Sequence, residues 1–315
     1  MIGLVLKSTG SWYEVFIKEE KRRYSCRLAG KLKLNKSQLT NPVTVGDYVS
    51  IEPENEFNAI INKVETRKNY IARQSPKNKH QMHLLASNID LAILVTTIRQ
   101  PIFKQGFLDR FLITTEPQNI PVLITFNKAD VYNKEDLTAY LKMKEIYEHI
   151  GYKVCLVSCE SKDGIEEFIK LLQGKVSVLS GQSGVGKSSI INLIRPESNK
   201  KTSKISEHSG KGIHTTTFAE MEEINSDTFI IDTPGIKTLT FNNLEIMDVA
   251  HNFREFFERS KNCKFGSNCT HRNEPDCAVL NGIKNGEIFY SRYISYLSIL
   301  DEVESQNYWD RSKNA

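Results

Sequence analysis

Along the first 68 residues, short runs of β-branched, aliphatic and aromatic side chains recur between turn-forming residues. The runs fall at 3–6, 12–17, 23–27, 47–51 and 58–61, with breaks at Ser8-Thr9-Gly10, Asn41-Pro42 and Gly46-Asp47. Strands this short and this closely spaced predict a small closed β-barrel, and an OB-fold is the expected form. From Ile89 the pattern changes. Near-continuous apolar runs at 89–98, 121–126, 153–157 and 176–179 alternate with helical stretches at 105–116, 133–150, 163–172 and 189–194. Strands with no alternating polar face are buried on both sides, so this block predicts a doubly wound α/β domain with a parallel sheet. Two further strands, 218–224 and 228–231, are expected to form a hairpin around Asn225-Ser226-Asp227. Residues 69–88 are polar and carry one proline, which predicts a linker or flexible strap; 195–217, rich in Lys and Ser, predicts a mobile segment. Beyond Leu239 the spacing of Leu244, Met247, Phe253, Phe256 and Phe257, and of Phe289, Tyr293, Tyr296, Leu297 and Leu300, is helical. The expected units are 1–70, 71–238 and 239–315.

Chemistry enters where the run 176–179 ends. Gly181, Gly186, Lys187 and Ser188 fit G-x-x-x-x-G-K-[ST], preceded by a strand and followed by a helix. Glycines let successive backbone N–H groups close on phosphate oxygens, Lys187 neutralises β/γ charge, and Ser188 offers a hydroxyl to Mg2+. Asn127-Lys128-Ala129-Asp130 follows the strand 121–126, where a loop at a strand's carboxyl end faces the ligand crevice. An aspartate there accepts two hydrogen bonds from guanine that adenine cannot supply. Asp232-Thr233-Pro234-Gly235 also ends a strand, so that Asp232 can hold the Mg2+ shell and the Gly235 amide can reach a γ-phosphate. Ser158, after 153–157, is a second candidate base-contacting position or a helix cap. The expected GTP-binding set is Asn127, Lys128, Ala129, Asp130, Ser158, Gly181, Gln182, Ser183, Gly184, Val185, Gly186, Lys187, Ser188, Ser189 and Gly235. Together these loops point to a guanine-nucleotide triphosphatase rather than a P-loop kinase or ATPase.

The loops occur in an unusual order. In Ras-like GTPases the phosphate loop comes first and the guanine loop late; here Asp130 and Ser158 precede Lys187 and Asp232 comes last, so the domain reads as circularly permuted. A sheet tolerates this, since only its strands and their ligand-facing ends matter. The position that carries a water-aligning glutamine in Ras-like enzymes is Ile236, which cannot orient water. His214, in 210–217, is the nearest candidate for that role, and Thr215 or Thr216 is expected to join Ser188 and Asp232 at Mg2+. Near the C-terminus, Cys263, Cys269, His271 and Cys277 offer three thiolates and one imidazole, a closed tetrahedral set that favours structural Zn2+.

The ordered set GQSGVGKSS, GKGIHTTT, DTPG and a preceding NKAD, with a barrel-like segment before it and CKFGSNCTHRNEPDC after it, resembles the ribosome small-subunit-dependent GTPase A family of bacterial ribosome biogenesis factors. The resemblance covers nearly the whole chain. It implies an OB-fold, a permuted GTPase and a zinc-binding helical domain acting in late maturation of the 30S subunit. It also implies contact with 16S rRNA and hydrolysis of GTP to GDP stimulated by the particle, and it supports His214 as the catalytic residue. The alternative is a nucleotide-gated RNA-binding protein whose hydrolysis is incidental.

Bulk properties add little to this. A net charge of +4 does not by itself argue for nucleic acid, but residues 1–50 hold nine Lys/Arg against four Asp/Glu, a candidate polyanion-facing surface. No run is apolar and long enough for a membrane span, and the first ten residues lack the pattern of an export signal, so a cytoplasmic monomer with no membrane partner is expected. In a reducing compartment the clustered cysteines argue for metal over disulfides.

Overall fold

The computed structural model describes residues 1–33, 40–74, 81–195, 219–232 and 244–312. Strands β1 (Ile2–Ser8), β2 (Tyr13–Ile17), β3 (Arg22–Leu28), β4 (Tyr48–Pro53) and β5 (Asn58–Val64) form the N-terminal barrel. They pair in the order β1-β2-β3-β5-β4, with β3 parallel to β5 and closure by β1 against β4. This is the expected OB arrangement. Alternation explains it: in β3, Tyr24, Cys26 and Leu28 point inward while Arg23, Ser25 and Arg27 face outward. Of the barrel aromatics, Tyr13 and Tyr24 are core residues, whereas Trp12 and Tyr48 are exposed. Much of the basic excess is internally neutralised. Lys7, Lys18, Arg23 and Arg27 pair with Glu220, Asp227, Glu14 and Glu54, so the barrel is less of a bare cationic face than its sequence suggests.

The described parts of 69–88 are paired strands rather than a linker. Tyr70–Gln74 (β6) and Met82–Ser87 (β7) pair antiparallel, from Tyr70↔Ser87 to Gln74↔Met82. Ile71, Leu84, Leu85 and Ala86 of these strands are buried, and polar ties come both from the segment itself, at Asn69, Ser87 and Asn88, and from the residues before it. Asp47, fully buried, accepts from Arg67 Nε and Nη2 at 2.7 and 2.8 Å, from Ser87 Oγ at 2.6 Å and from the Thr44 amide at 2.9 Å. Gly46 (φ +91°) lies so close to the Ser87 carbonyl that a Cβ would stand 2.1 Å from it, which fixes how the barrel meets the hairpin.

The central sheet contains β8 (Leu91–Thr96), β9 (Val122–Phe126), β10 (Lys153–Leu156), β11 (Val176–Gly181), β12 (Glu220–Asn225) and β13 (Thr228–Asp232). Its order is β10-β9-β8-β11-β13-β12, parallel except for β12, and β12 meets β1 of the barrel at Lys7↔Glu220. Every residue of β8 and β9 is buried, the expected signature of strands covered on both faces. Around them, numbered after the short helix α1 (Gly30–Lys33), lie α2 (Gln105–Thr115), α3 (Lys134–His149), α4 (Ile165–Leu172) and α5 (Lys187–Ile194). Helix α3 starts where Asn133 caps it: its side chain accepts from the Asp136 amide, and the Asp136 carboxylate accepts from the Asn133 amide.

The C-terminal unit comprises α6 (Ile246–His251), α7 (Arg254–Ser260), α8 (Ala278–Lys284) and α9 (Tyr290–Ser312). Its core gathers Val249, Phe253, Phe256, Val279, Tyr296, Ile299, Leu300 and Val303, together with Ile113 from α2. Helix α2 is therefore shared, since Leu108, Phe111 and Leu112 pack in the core of the sheet. At this junction Arg292, 1% exposed, reaches Asp109 with Nη1 and grips Glu255 with Nε (2.7 Å) and Nη2 (3.1 Å). Tyr147 donates to the same Asp109 carboxylate at 2.6 Å, and the Arg292 guanidinium stacks 4.4 Å from the Phe253 ring centroid. Among the described residues no helix is long and apolar enough to cross a membrane.

Candidate functional site

Three expected nucleotide loops converge at the carboxyl edge of the parallel strands. Strand β11 leads directly into Gly181–Gly186, and α5 begins at Lys187 with no side chain capping its first turn, which leaves its amides available to an anion. The loop conformation requires glycine. Gly181, Gly184 and Gly186 have φ of +149°, +83° and +96°, and a Cβ on Gly181 would lie 2.3 Å from the Val95 carbonyl oxygen. Lys187 Nζ donates to the Gly181 and Gln182 carbonyls at 2.7 and 2.8 Å, so it sits folded across the loop that it serves. Val185 is buried, whereas Ser183, Gly184, Ser188 and Ser189 are exposed.

The guanine loop is physically joined to the phosphate loop. Asn127, 1% exposed, donates from Nδ2 to the Val185 carbonyl at 2.9 Å, while its own amide donates to Thr96 at the end of β8. Lys128 has a left-handed backbone (φ 67°) and donates from Nζ to the Gln100 carbonyl at 2.8 Å. The Ala129 amide donates to the Val157 carbonyl. Ser158 Oγ donates to Asp130 Oδ1 at 2.5 Å and accepts from the Glu160 and Ser161 amides at 3.2 and 3.1 Å. Ser158 thus holds the Asp130 carboxylate and braces the turn that follows, whereas the N-cap position of α4 is Gly164 and not Ser158. The closeness of the loops gives a direct test. A Cβ on Gly186 would stand 2.3 Å from Asn127 Nδ2, so Gly186→Ala strains the phosphate loop and drives it from the guanine loop together. Affinity for GTP and GDP is expected to fall about 100-fold, checked by titrating a fluorescent guanine nucleotide, because both backbone strain and a lost buried hydrogen bond act on the same contact.

Asp232 ends β13, next to β11 in the sheet, with Leu179 and Asp232 as register partners. That places its backbone beside the last residues of the phosphate-loop strand, two residues before Gly181 in register. His214, Thr215, Thr216 and Gly235 lie outside the described residues.

The metal-type donors form a separate, buried cluster in the helical unit. Cys263, Cys269, His271 and Cys277 are all buried, and one ligand atom of each lies within 4.8 Å of all the others. Cys263 Sγ is 4.0 Å from Cys277 Sγ and 3.8 Å from His271 Nδ1, and that nitrogen is 3.4 Å from Cys277 Sγ. Ligands on a tetrahedral Zn2+ with bonds of about 2.0–2.3 Å stand roughly 3.5–3.8 Å apart, so the donor set fits such an ion. Supporting groups are in place: the Ala278 amide donates to Cys263 Sγ at 3.3 Å, and Cys277 caps α8 by accepting from Leu280. Burial pushes the His271 imidazole down to about 4, so it is neutral at physiological pH and able to act as a ligand. Burial raises the Glu274 carboxyl, but bonds from Thr270 Oγ1 and from the Thr270 and Arg272 amides outweigh it and hold the group near 2. This ionised carboxylate fixes the loop that carries Cys269 and His271. Helix α8, which contributes the Cys277 cap, is an element that the helical spacing missed, because only Val279 and Gly282 of its seven residues are buried.

The sequence matches the family described as RsgA GTPase over residues 64–242 and the RsgA N-terminal domain over 2–61. The chain belongs to the RsgA GTPase family. Among its relatives, the small ribosomal subunit biogenesis GTPase RsgA of Phocaeicola vulgatus is 46% identical over 308 residues, covering 98% of this chain and 99% of the relative. The protein of the same name from Flavobacterium psychrophilum is 44% identical over 305 residues, covering 96% and 93%. The crystal structure of YjeQ from Thermotoga maritima superposes with a TM-score of 0.78 at 31% identity, covering 96% of this chain and 98% of that one. YloQ, described as a circularly permuted GTPase, gives 0.75 at 29% identity, covering 97% and 95%. The RsgA assignment makes the chain a GTP-hydrolysing enzyme of permuted order. It accounts for a sheet whose phosphate-loop strand is central in space yet fourth of the parallel strands in sequence.

Proposed function

We propose that this chain is a cytoplasmic GTPase of small ribosomal subunit biogenesis that binds the 30S particle and its 16S rRNA. Turnover to GDP is accelerated by the subunit. The observation that carries the reading is the Asn127–Val185 bond, which joins a guanine-selective loop to a phosphate cradle within one site. In this reading Asp130 pairs with guanine, the amides of 181–189 hold the phosphates, and Lys187 leaves its carbonyl partners to meet β/γ charge. Mg2+ neutralises phosphate charge, held by Ser188, Asp232 and one of Thr215 or Thr216. His214 aligns the attacking water, since Ile236 offers no polar atom for it. A single Zn2+ bound by Cys263, Cys269, His271 and Cys277 is structural, because the four donors leave no open position. The barrel and the helical unit supply the RNA contacts. The working units are 1–70, 71–238 and 239–315, and the chain acts as a monomer.

The test is GTP turnover with and without purified 30S particles at controlled salt, since RNA contacts weaken steeply with ionic strength. Acceleration of kcat is expected; binding of the subunit with kcat unchanged would favour the nucleotide-gated RNA-binding alternative. A second measurement addresses the base. Asp130→Asn is expected to lose GTP use and gain xanthosine triphosphate use, and retention of GTP preference would remove Asp130 from the base site.

A further inference from the structure

Tyr132 follows the 3-10 turn Ala129–Val131, two residues after Asp130, and its hydroxyl lies between two loops. It accepts from the Ile98 amide at 2.8 Å and donates to the Asn127 carbonyl at 2.9 Å. Residues 97–101, which leave β8, belong to none of the nucleotide motifs, yet they run along the guanine loop. Lys128 Nζ donates to the Gln100 carbonyl at 2.8 Å, and Thr97 Oγ1 donates to the Pro101 carbonyl at 2.6 Å. Arg99 pairs with Asp136 at 2.9 Å, which ties the segment to the capped start of α3. Pro101 also borders the phosphate loop, its Cδ 3.9 Å from where a Cβ of Gly184 would stand.

We infer that Tyr132 is a positioning residue for guanine-nucleotide binding, and that the strap 97–101, which it fastens to Asn127, forms one wall of the base site. The inference rests on the functional reading above. Its physical basis is that the guanine loop does not hold its own shape. Lys128 occupies a left-handed conformation that non-glycine residues seldom adopt, so the loop keeps that shape only while its surroundings over-determine it. Asn127 is held on its side-chain end by Val185 and on its backbone carbonyl by Tyr132. Lys128 is held in turn by the Gln100 carbonyl. Removing the Tyr132 hydroxyl leaves the Ile98 amide without its acceptor and loosens the strap and the loop from each other. Burial pushes the Tyr132 hydroxyl up to about 12, so it keeps its proton, and both of its hydrogen-bonding roles, at neutral pH. The base sits alike in GTP and GDP complexes, so the effect falls on both nucleotides equally.

Tyr132→Phe keeps the ring and its packing and deletes only the hydroxyl. Dissociation constants for GTP and GDP are both expected to rise about tenfold, the usual scale for stranding a part-buried donor, and KM rises by the same factor with kcat unchanged. A ring that only fills space predicts no change in this variant, with dissociation constants, KM and the nucleotide-free melting temperature all at wild-type values. Arg99→Ala frees the strap from α3 without touching Tyr132 and is expected to weaken both nucleotides by a smaller, equal factor. Combined with Tyr132→Phe, it should give less than the product of the two single effects, since both act through one strap. Wild-type protein that binds no guanine nucleotide defeats the functional reading itself. Wild-type binding with Tyr132→Phe within twofold of it overturns this inference alone.

Discussion

Cys277→Ser is expected to unfold the helical unit while the barrel and the parallel sheet stay folded. Serine does not ionise at neutral pH and cannot replace a thiolate, so one of the four donors is lost outright. Cys277 also caps α8, accepting from the Leu280 amide, and packs in the same core as Phe253, Phe256 and Tyr296. The loop between Cys263 and Cys277 has little else to hold it: Glu274 fixes its centre, and Tyr293 and Tyr296 donate to the His271 and Thr270 carbonyls at 3.0 and 2.7 Å. Structural zinc contributes on the order of 10 kcal/mol to small modules of this kind, far more than these neutral bonds supply. Metal analysis of purified wild-type protein should give about one zinc per chain, and the serine variant none. Hydrogen exchange should show lost protection across 263–284 with β8, β9 and β11 unaffected. A metal-free wild type with the same melting profile as the metal-bound form would exclude a structural ion.

Arg292→Ala is expected to cost about 3–5 kcal/mol, measured as a lowered urea midpoint, because it strands the buried Asp109 carboxylate and the part-buried Glu255 carboxylate. Asp109 is fully buried and Arg292 1% exposed, so water cannot screen what remains. With the guanidinium gone, Asp109 and Glu255 face each other without a cation, and Tyr147 supplies one hydrogen bond to the pair. The damage falls on the junction, since Asp109 belongs to α2 of the GTPase domain, Glu255 to α7, and Arg292 to α9. Helix α9 is expected to exchange amide hydrogens faster than α3. Replacing Arg292 by Met and Asp109 by Leu together should recover much of the loss, because a packed apolar pair of similar volume removes the stranded charge. A single variant within about 1 kcal/mol of wild type would mean that water or relaxation reaches the cluster.

Much of the site was readable along the chain because its chemistry is local. A phosphate loop needs glycines, a lysine and a hydroxyl within a few residues, and it needs a strand before and a helix after; all of these are consecutive between Val176 and Ile194. The Cys/His cluster was likewise legible, since Cys263 to Cys277 lie in one loop and only four thiolate and imidazole donors had to be counted. The strands 70–74 and 82–87 are not legible along the chain, because their short apolar runs sit among polar residues and they are held in part by Asp47, Arg67 and Gly46 of the preceding segment. The basic excess of the barrel is legible in the sequence as a number but not as a state of pairing. Lys7 and Lys18 find their acids more than 200 positions away, on β12 and the hairpin turn, and no local pattern announces that.

The order and type of the barrel strands and of the parallel strands and helices of the central domain, the permuted succession of loops and the identity of the donors were determined by sequence alone, because each depends on side-chain periodicity or on neighbours a few residues apart. Only the tertiary structure decided that α2 belongs to two cores, that Arg292 joins them, and that Tyr132 fastens the segment after β8 to the base loop. Those contacts join residues far apart in the chain, or groups whose direction is set by packing, and hydrophobic spacing carries no information about which distant partner a buried charge or hydroxyl will meet.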